Sequence, residues 1–158
     1  MLYLDSSALI KLYFSEVGSA RLEAALKQAS DAGVRVFSSV LAYAEVHAAV
    51  ARKSREERLS ESRAATIHDR FDADWVLAMS PVEASIGVLG FVRDILKSSP
   101  IRGADALHLA SALWLRDASR LGSKPGSSAQ SLTFVCSDGR LLDAAETQKL
   151  LVFDPEKG

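Results

Sequence analysis

Four carboxylates stand where chemistry could use them: Asp5, Glu45, Asp105 and Asp138. Asp5 closes the short apolar run Leu2-Tyr3-Leu4. Asp138 follows the apolar run Leu132-Thr133-Phe134-Val135-Cys136 with only Ser137 between. Both runs read as buried strands, and acids at the carboxyl ends of parallel strands can face one crevice. Asp is also a favoured helix N-cap, and both positions precede helices, so capping stays open for each. That alternative is weaker at Asp5, because Ser6 and Ser7 can cap the helix that begins there.

Glu45 lies in Val40-Leu41-Ala42-Tyr43-Ala44-Glu45-Val46-His47-Ala48-Ala49-Val50. Its neighbours at three and four residues are Leu41, Ala42, Ala48 and Ala49, which places it in the apolar stripe of a helix. An ionised carboxylate there is costly unless a cation or a base meets it. Asp105 lies in the first turn of a helix from Gly103, with His108 and Leu109 one turn on, and backbone N–H groups also favour an acid there. Gly103 and Ala104 leave room for a ligand. No matching set of buried bases accompanies these acids. Crowded carboxylates repel and are hard to desolvate together, and hard divalent cations offset that. Oxygen ligands suit Mg²⁺, with Mn²⁺ also admissible. Ions so held can activate water, position a phosphodiester and stabilise the leaving oxygen.

Lys11, Arg102 and Arg140 are each close in sequence to one of the acids and are candidates to meet a substrate phosphate. Arg52, Lys53, Arg55 and Arg58 form a second basic run, which reads as the solvated end of a helix. His47, His68 and His108 lack zinc-pair spacing, and His108 reads as a packed, hydrogen-bonded histidine. There is no Gly-rich phosphate loop. An aspartyl-phosphate hydrolase with Asp5 as nucleophile is disfavoured by Ser7, where that chemistry usually has a second acid. A pure binding module is disfavoured by four costly charges.

The elements that must position these residues alternate along the chain. Leu2–Leu4 reads as a strand and Ala8–Phe14 as a short helix; Arg21–Ala32 is helical, stopped by Gly33. Val34–Phe37 is a strand. Ser38 or Ser39 caps a helix to about Lys53, followed by a charged, solvated segment from Ser54 to Arg63. Ala64–Trp75 is an amphipathic helix, and Val76–Met79 is ambiguous, a short strand being one reading. Pro81 opens the next helix, which runs through Leu96, and Gly103–Asp117 is a strong helix. Residues 119–131, with two Gly, one Pro and five Ser, read as a flexible loop. Strand Leu132–Cys136, a helix from about Arg140 to Gln148 and strand Leu150–Phe153 complete the chain. This alternation predicts a single three-layer α/β/α domain over residues 1–158 with a mostly parallel sheet.

The bulk numbers agree. At 158 residues with 48% hydrophobic content, the chain can fill one core. The net charge of −1 is less basic than nucleic-acid-binding domains usually are, so any such role needs acids gathered in one place and bases at its rim. The one cysteine, Cys136, forms no internal disulfide and reads as a buried, reduced thiol. No apolar run can span a bilayer and no signal peptide is evident, so a cytoplasmic protein is expected.

Tyr3-Leu4-Asp5-Ser6-Ser7-Ala8-Leu9-Ile10-Lys11-Leu12-Tyr13, Arg102-Gly103-Ala104-Asp105-Ala106-Leu107-His108-Leu109-Ala110 and Phe134-Val135-Cys136-Ser137-Asp138 with Arg140-Leu141-Leu142 together resemble the motifs of PIN-domain proteins of the VapC toxin group. Glu45 sits where that family places its helix acid, and the ending Leu151-Val152-Phe153-Asp154-Pro155 is similar. The resemblance implies a PIN-like α/β/α sandwich and a Mg²⁺-dependent endoribonuclease. It also implies the toxin half of a type II toxin–antitoxin pair, dimeric and held inactive by a small antitoxin protein. It makes Asp5, Glu45, Asp105 and Asp138 the acidic metal-binding set, with Ser7 and Ser137 as supporting hydroxyls. One departure is Gly139, where many relatives carry another acid; a second metal position would then be weak or completed by substrate oxygens.

Overall fold

The computed structural model describes residues 1–57, 59–121 and 131–157. In chain order the elements are β1 (Leu2–Leu4), α1 (Ser6–Ile10), α2 (Ser19–Asp31), β2 (Val36–Ser39), α3 (Val40–Glu56), α4 (Glu61–Ala78), β3 (Met79–Val82), α5 (Ile86–Ser98), α6 (Gly103–Leu121), β4 (Thr133–Val135), α7 (Gly139–Thr147) and β5 (Leu151–Phe153). The strands form one sheet in the order β3-β2-β1-β4-β5, and every pairing is parallel.

Parallel strands must be joined by crossovers, and the helices of those crossovers cover both faces. Successive strand residues therefore feed opposite cores. Tyr3, Phe37 and Phe134 point into one core with Leu109, Leu113 and Leu141 of α6 and α7. Leu4 and Val135 point into the other with Leu9, Leu22, Val46 and Phe71 of α1 to α4. The result is the three-layer α/β/α architecture that the alternation of elements predicts.

Several boundaries differ from the pattern in the sequence. Strand β2 begins at Val36 rather than Val34, because Gly33 takes a left-handed φ of 65° and the Val34 N–H still closes onto Ala29 at the end of α2. Helix α4 is longer than expected at both ends, starting after Ser60, whose hydroxyl accepts from the Arg63 N–H. Pro81 does not open a helix; it sits within β3. That strand is at the sheet edge, where a missing N–H costs no ladder bond, and Ser85 caps α5 instead. Helix α6 continues to Leu121, so residues 119–121 are helical rather than part of a loop. The rest of the expected loop, residues 122–130, and Arg58 of the basic run lie outside the described residues.

The connectivity matters for the site. From β1 the chain moves outward to β2 and β3, then returns to place β4 on the other side of β1. The strand order reverses between β1 and β4, and a crevice opens at the carboxyl ends of such a pair. Asp5 follows β1 and Asp138 follows β4.

Candidate active site

Asp5 is the N-cap of α1. Its Oδ1 accepts from the Ala8 N–H at 2.9 Å and the Ser7 hydroxyl at 2.8 Å. Ser6 and Ser7 therefore do not cap this helix; Asp5 does so itself. Ser7 in turn accepts from the Ser137 N–H at 2.9 Å and so ties the two strand exits together. The Cys136 thiol lies 3.3 Å from Oδ2 of Asp5 and accepts from the Asp138 N–H at 3.2 Å. Asp5 is only 4% exposed. Burial raises its pKa, against the opposing pull of His108, the Ala8 N–H, Ser7 and Cys136.

Asp138 caps α7, its Oδ1 accepting from the N–H groups of Arg140 and Leu141. Asp105 reaches back with Oδ2 to the Arg102 N–H at 3.2 Å, the acid half of a capping box. The capping role and a ligand role are compatible at all three acids, because a carboxylate offers about four lone-pair sites.

Glu45 sits at the margin of its helix's buried face rather than within it. The buried positions of α3 are Ala42, Val46 and Val50, while Ala48 is exposed. Alanine is small enough to stand on either side of that border, which is why the alanines around Glu45 suggested deeper burial. Its Oε2 is 2.7 Å from Nε2 of His108, and His108 is buried. Desolvation alone would raise the pKa of Glu45, but the His108 hydrogen bond and charge outweigh it and the net shift is downward.

Two hollows flank Asp138. One, of about 450 Å³, is lined by Arg102, Asp105, Ser137, Asp138 and Arg140. The other, of about 560 Å³, is lined by Glu45, Arg52 and Lys53 together with Ser137 and Asp138. Ser137 and Asp138 are shared between them. Among the described residues, no ion pair joins Asp5, Glu45, Asp105 or Asp138 to a lysine or arginine. Nor, among the described residues, do three acidic, imidazole or thiol side chains stand in a group ready to hold a metal ion. The acids are gathered around one end of the sheet without being drawn onto one point. Ser137 Oγ is buried and, among the described residues, has no hydrogen-bond partner. An orphaned hydroxyl between two acid-lined hollows, beside a buried carboxylate met only by neutral donors, fits a hydrated divalent cation.

Lys11 borders the hollow that holds Glu45 and Asp138, but its ammonium is already engaged elsewhere. It is 4% exposed, and Nζ donates to Glu156 at 2.6 Å, Val17 O at 3.1 Å and Glu16 at 3.4 Å. All three ammonium protons are spent, so Lys11 holds the C-terminal segment to the loop after α1 and is not available to a phosphate. Arg102 and Arg140 are exposed on the hollow that holds Asp105 and Asp138. The Glu45–His108 contact was not legible in the sequence; its only signal was His108 three residues after Asp105.

Residues 2–119 match the PIN domain family profile. Ribonuclease VapC45 and Ribonuclease VapC49, both of Mycobacterium tuberculosis, are each 40% identical over 117 residues, which is 74% of this chain and 78% of each relative. The chain belongs to the PIN-domain ribonuclease family of the VapC type. It is accordingly an endoribonuclease by family, and PIN-domain ribonucleases are metal-dependent. The fold agrees with solved structures of low identity: FitAcB from Neisseria gonorrhoeae (TM-score 0.66, 20% identity, 98% of each chain) and VapBC2 from Rickettsia felis bound to a promoter DNA fragment (TM-score 0.65, 12% identity, 98% of each chain). Asp5, Glu45 and Asp105 fall inside the matched PIN segment. Asp138 lies beyond it, and its place in the site rests on the strand order.

Proposed function

We propose that Asp5, Glu45, Asp105 and Asp138 hold Mg²⁺, with Mn²⁺ as a substitute, and that the site hydrolyses RNA phosphodiester bonds. The observation that carries this reading is that Asp138 borders both hollows, with Asp105 on one and Glu45 on the other, that Asp5 closes the neighbouring strand β1, and that, among the described residues, none of the four is paired with a lysine or arginine. When bound, a divalent cation supplies charge neutralisation, Lewis acidity and water activation. The protein's part is to keep the acids oriented. Backbone N–H groups fix one oxygen each of Asp5, Asp105 and Asp138, and Ser7 braces Asp5. Ser137 borders both hollows, and rotation of its side chain would bring the unpartnered Oγ to a water or a phosphate oxygen there. Arg102 and Arg140 neutralise the substrate backbone beside Asp105. The net charge of −1 suits this division, with acids inside and arginines at the rim.

The decisive experiment compares RNA cleavage in Mg²⁺ by the wild-type chain, Asp5→Asn and Asp105→Asn, with chelator as control. Undiminished cleavage by either variant ends the assignment.

The same reading extends to partners. Among the solved structures similar in fold, FitAB and VapBC2 were each determined with a bound DNA fragment. By analogy, this chain is the toxin half of a type II toxin–antitoxin pair, acting in the cytoplasm and neutralised by a small antitoxin protein. Among the described residues, no helix is long and apolar enough to cross a membrane. A homodimer is supported by the exposed apolar side chains of Ile86, Leu89 and Leu96 along one face of α5. Co-expression with candidate small antitoxin proteins, read as relief of growth arrest and co-purification, tests the first point, and light scattering of the purified chain the second.

A further inference from the structure

Glu45, His108 and Tyr3 come from three different elements and form one hydrogen-bonded chain. Tyr3 leaves β1, is fully buried and stacks on Phe134 at 5.4 Å. Its hydroxyl is 3.1 Å from Nδ1 of His108 on α6, and Nε2 of that ring is 2.7 Å from Oε2 of Glu45 on α3. His108 is 2% exposed, so water does not compete for either nitrogen.

The protons can be assigned by elementary bookkeeping. Glu45 is an ionised acceptor, so the proton between it and the ring belongs to Nε2. This holds for the neutral ring, where Nδ1 accepts from the Tyr3 hydroxyl, and for the charged ring, where Nδ1 donates to the Tyr3 oxygen. Nε2–H therefore faces Glu45 whatever the charge of the imidazole. One carboxylate oxygen of Glu45 is thus held by a buried donor, and that donor is held from behind by a fully buried phenol stacked on Phe134.

We infer that His108 is a positioning residue for Glu45, held in place by Tyr3, and that this chain of hydrogen bonds sets the site's affinity for its divalent cation. This rests on the reading of Glu45 as a member of the metal-holding set. Helix α6 then serves the site twice, presenting Asp105 directly and, one turn later, orienting Glu45 through His108. Glu45 needs such help more than the other acids do. Asp5, Asp105 and Asp138 are each fixed by backbone N–H groups of their own helix start, whereas Glu45 is mid-helix, where every nearby N–H is spent on the helix itself. Partners that orient a ligand from behind typically contribute about 10- to 100-fold in metal affinity.

The test measures Mn²⁺ binding by electron paramagnetic resonance and, separately, the Mg²⁺ concentration for half-maximal RNA cleavage. The proteins are the wild type, His108→Gln, His108→Leu, Tyr3→Phe, Glu45→Gln and the Glu45→Gln/His108→Leu double variant. His108→Gln keeps an N–H donor toward Glu45 and should stay within about threefold of wild type in both readouts, while His108→Leu should weaken Mn²⁺ binding at least about tenfold. Tyr3→Phe should fall between them. In the Glu45→Gln background, His108→Leu should have no further effect on Mn²⁺ binding, a non-additivity that general loosening of the core would not produce. Equal Mn²⁺ affinity in wild type and His108→Leu, or a full additional loss in the double variant, overturns the inference. A wild type that neither binds Mn²⁺ nor cleaves RNA overturns the nuclease reading instead. Should His108→Leu fail to fold, the Tyr3→Phe and His108→Gln comparison still decides, since equal loss in both variants contradicts the donor role.

Discussion

The thiol of Cys136 lies 3.3 Å from Oδ2 of Asp5, two groups 131 residues apart in sequence. Because the same sulfur accepts from the Asp138 N–H, it links the exits of β1 and β4. Burial and the neighbouring Asp5 charge push the thiol pKa far upward, so the sulfur stays protonated and donates toward the carboxylate. The thiol should accordingly be inert to an aromatic disulfide reagent in the folded protein and react at once in denaturant. Cys136→Ser retains both hydrogen bonds. Cys136→Val removes them and should cost about 1 to 3 kcal/mol, because it strands the Asp138 N–H. Urea unfolding of the two variants checks this.

Asp5 offers a stability test with a definite sign. Burial raises its folded-state pKa, so the folded chain binds this proton more tightly than the unfolded chain. The resulting stabilisation is fully present below the unfolded aspartate value of about 3.9 and is lost as pH rises through the raised folded value. At neutral pH without metal, the ionised carboxylate is therefore a cost. Asp5→Asn keeps the Oδ1 acceptor for Ala8 and Ser7 and should raise the metal-free melting temperature at pH 7. The same variant should cleave RNA at least about 100-fold more slowly. A lower melting temperature would contradict the burial argument.

Arg102 and Arg140 should act through the substrate backbone. Alanine at either position should weaken RNA binding with little sequence dependence. It should also lower the slope of log affinity against log salt by about 0.7, the value for one lost phosphate contact on a single strand. Filter binding of a catalytically dead Asp105→Asn background at several salt concentrations measures it.

Lys11 belongs with stability rather than with substrate. Lys11→Ala strands Glu156 and leaves Glu16 to Lys53 alone; the two acids are 40% and 26% exposed, so the loss should be about 1 kcal/mol rather than the larger value of a fully buried pair. Desolvation would raise the pKa of Glu16, but Lys53 and Lys11 outweigh it and the net shift is downward. The stabilisation from Glu16 is therefore present above the unfolded glutamate value of about 4.3 and is lost as pH falls through the lower folded value. Salt slopes for RNA binding should be unchanged in Lys11→Ala.

Local patterns carried a large part of this. The alternation of short apolar runs with amphipathic stretches is written along the chain with periods of 2 and 3.6, and those periods specify strands, helices and the layered class without any distant contact. The placing of Asp5 and Asp138 at strand exits is equally local, and so is Asp105 in a first helical turn. What the tertiary structure decided is which of these residues meet. The strand order puts β4 beside β1 and so brings Asp138 next to Asp5. The packing of α6 against the sheet brings His108 to Glu45 across 63 residues. The C-terminal segment returns to claim Lys11 through Glu156. Such pairings depend on how elements pack in space, and no periodicity within one element encodes the partner it will find in another.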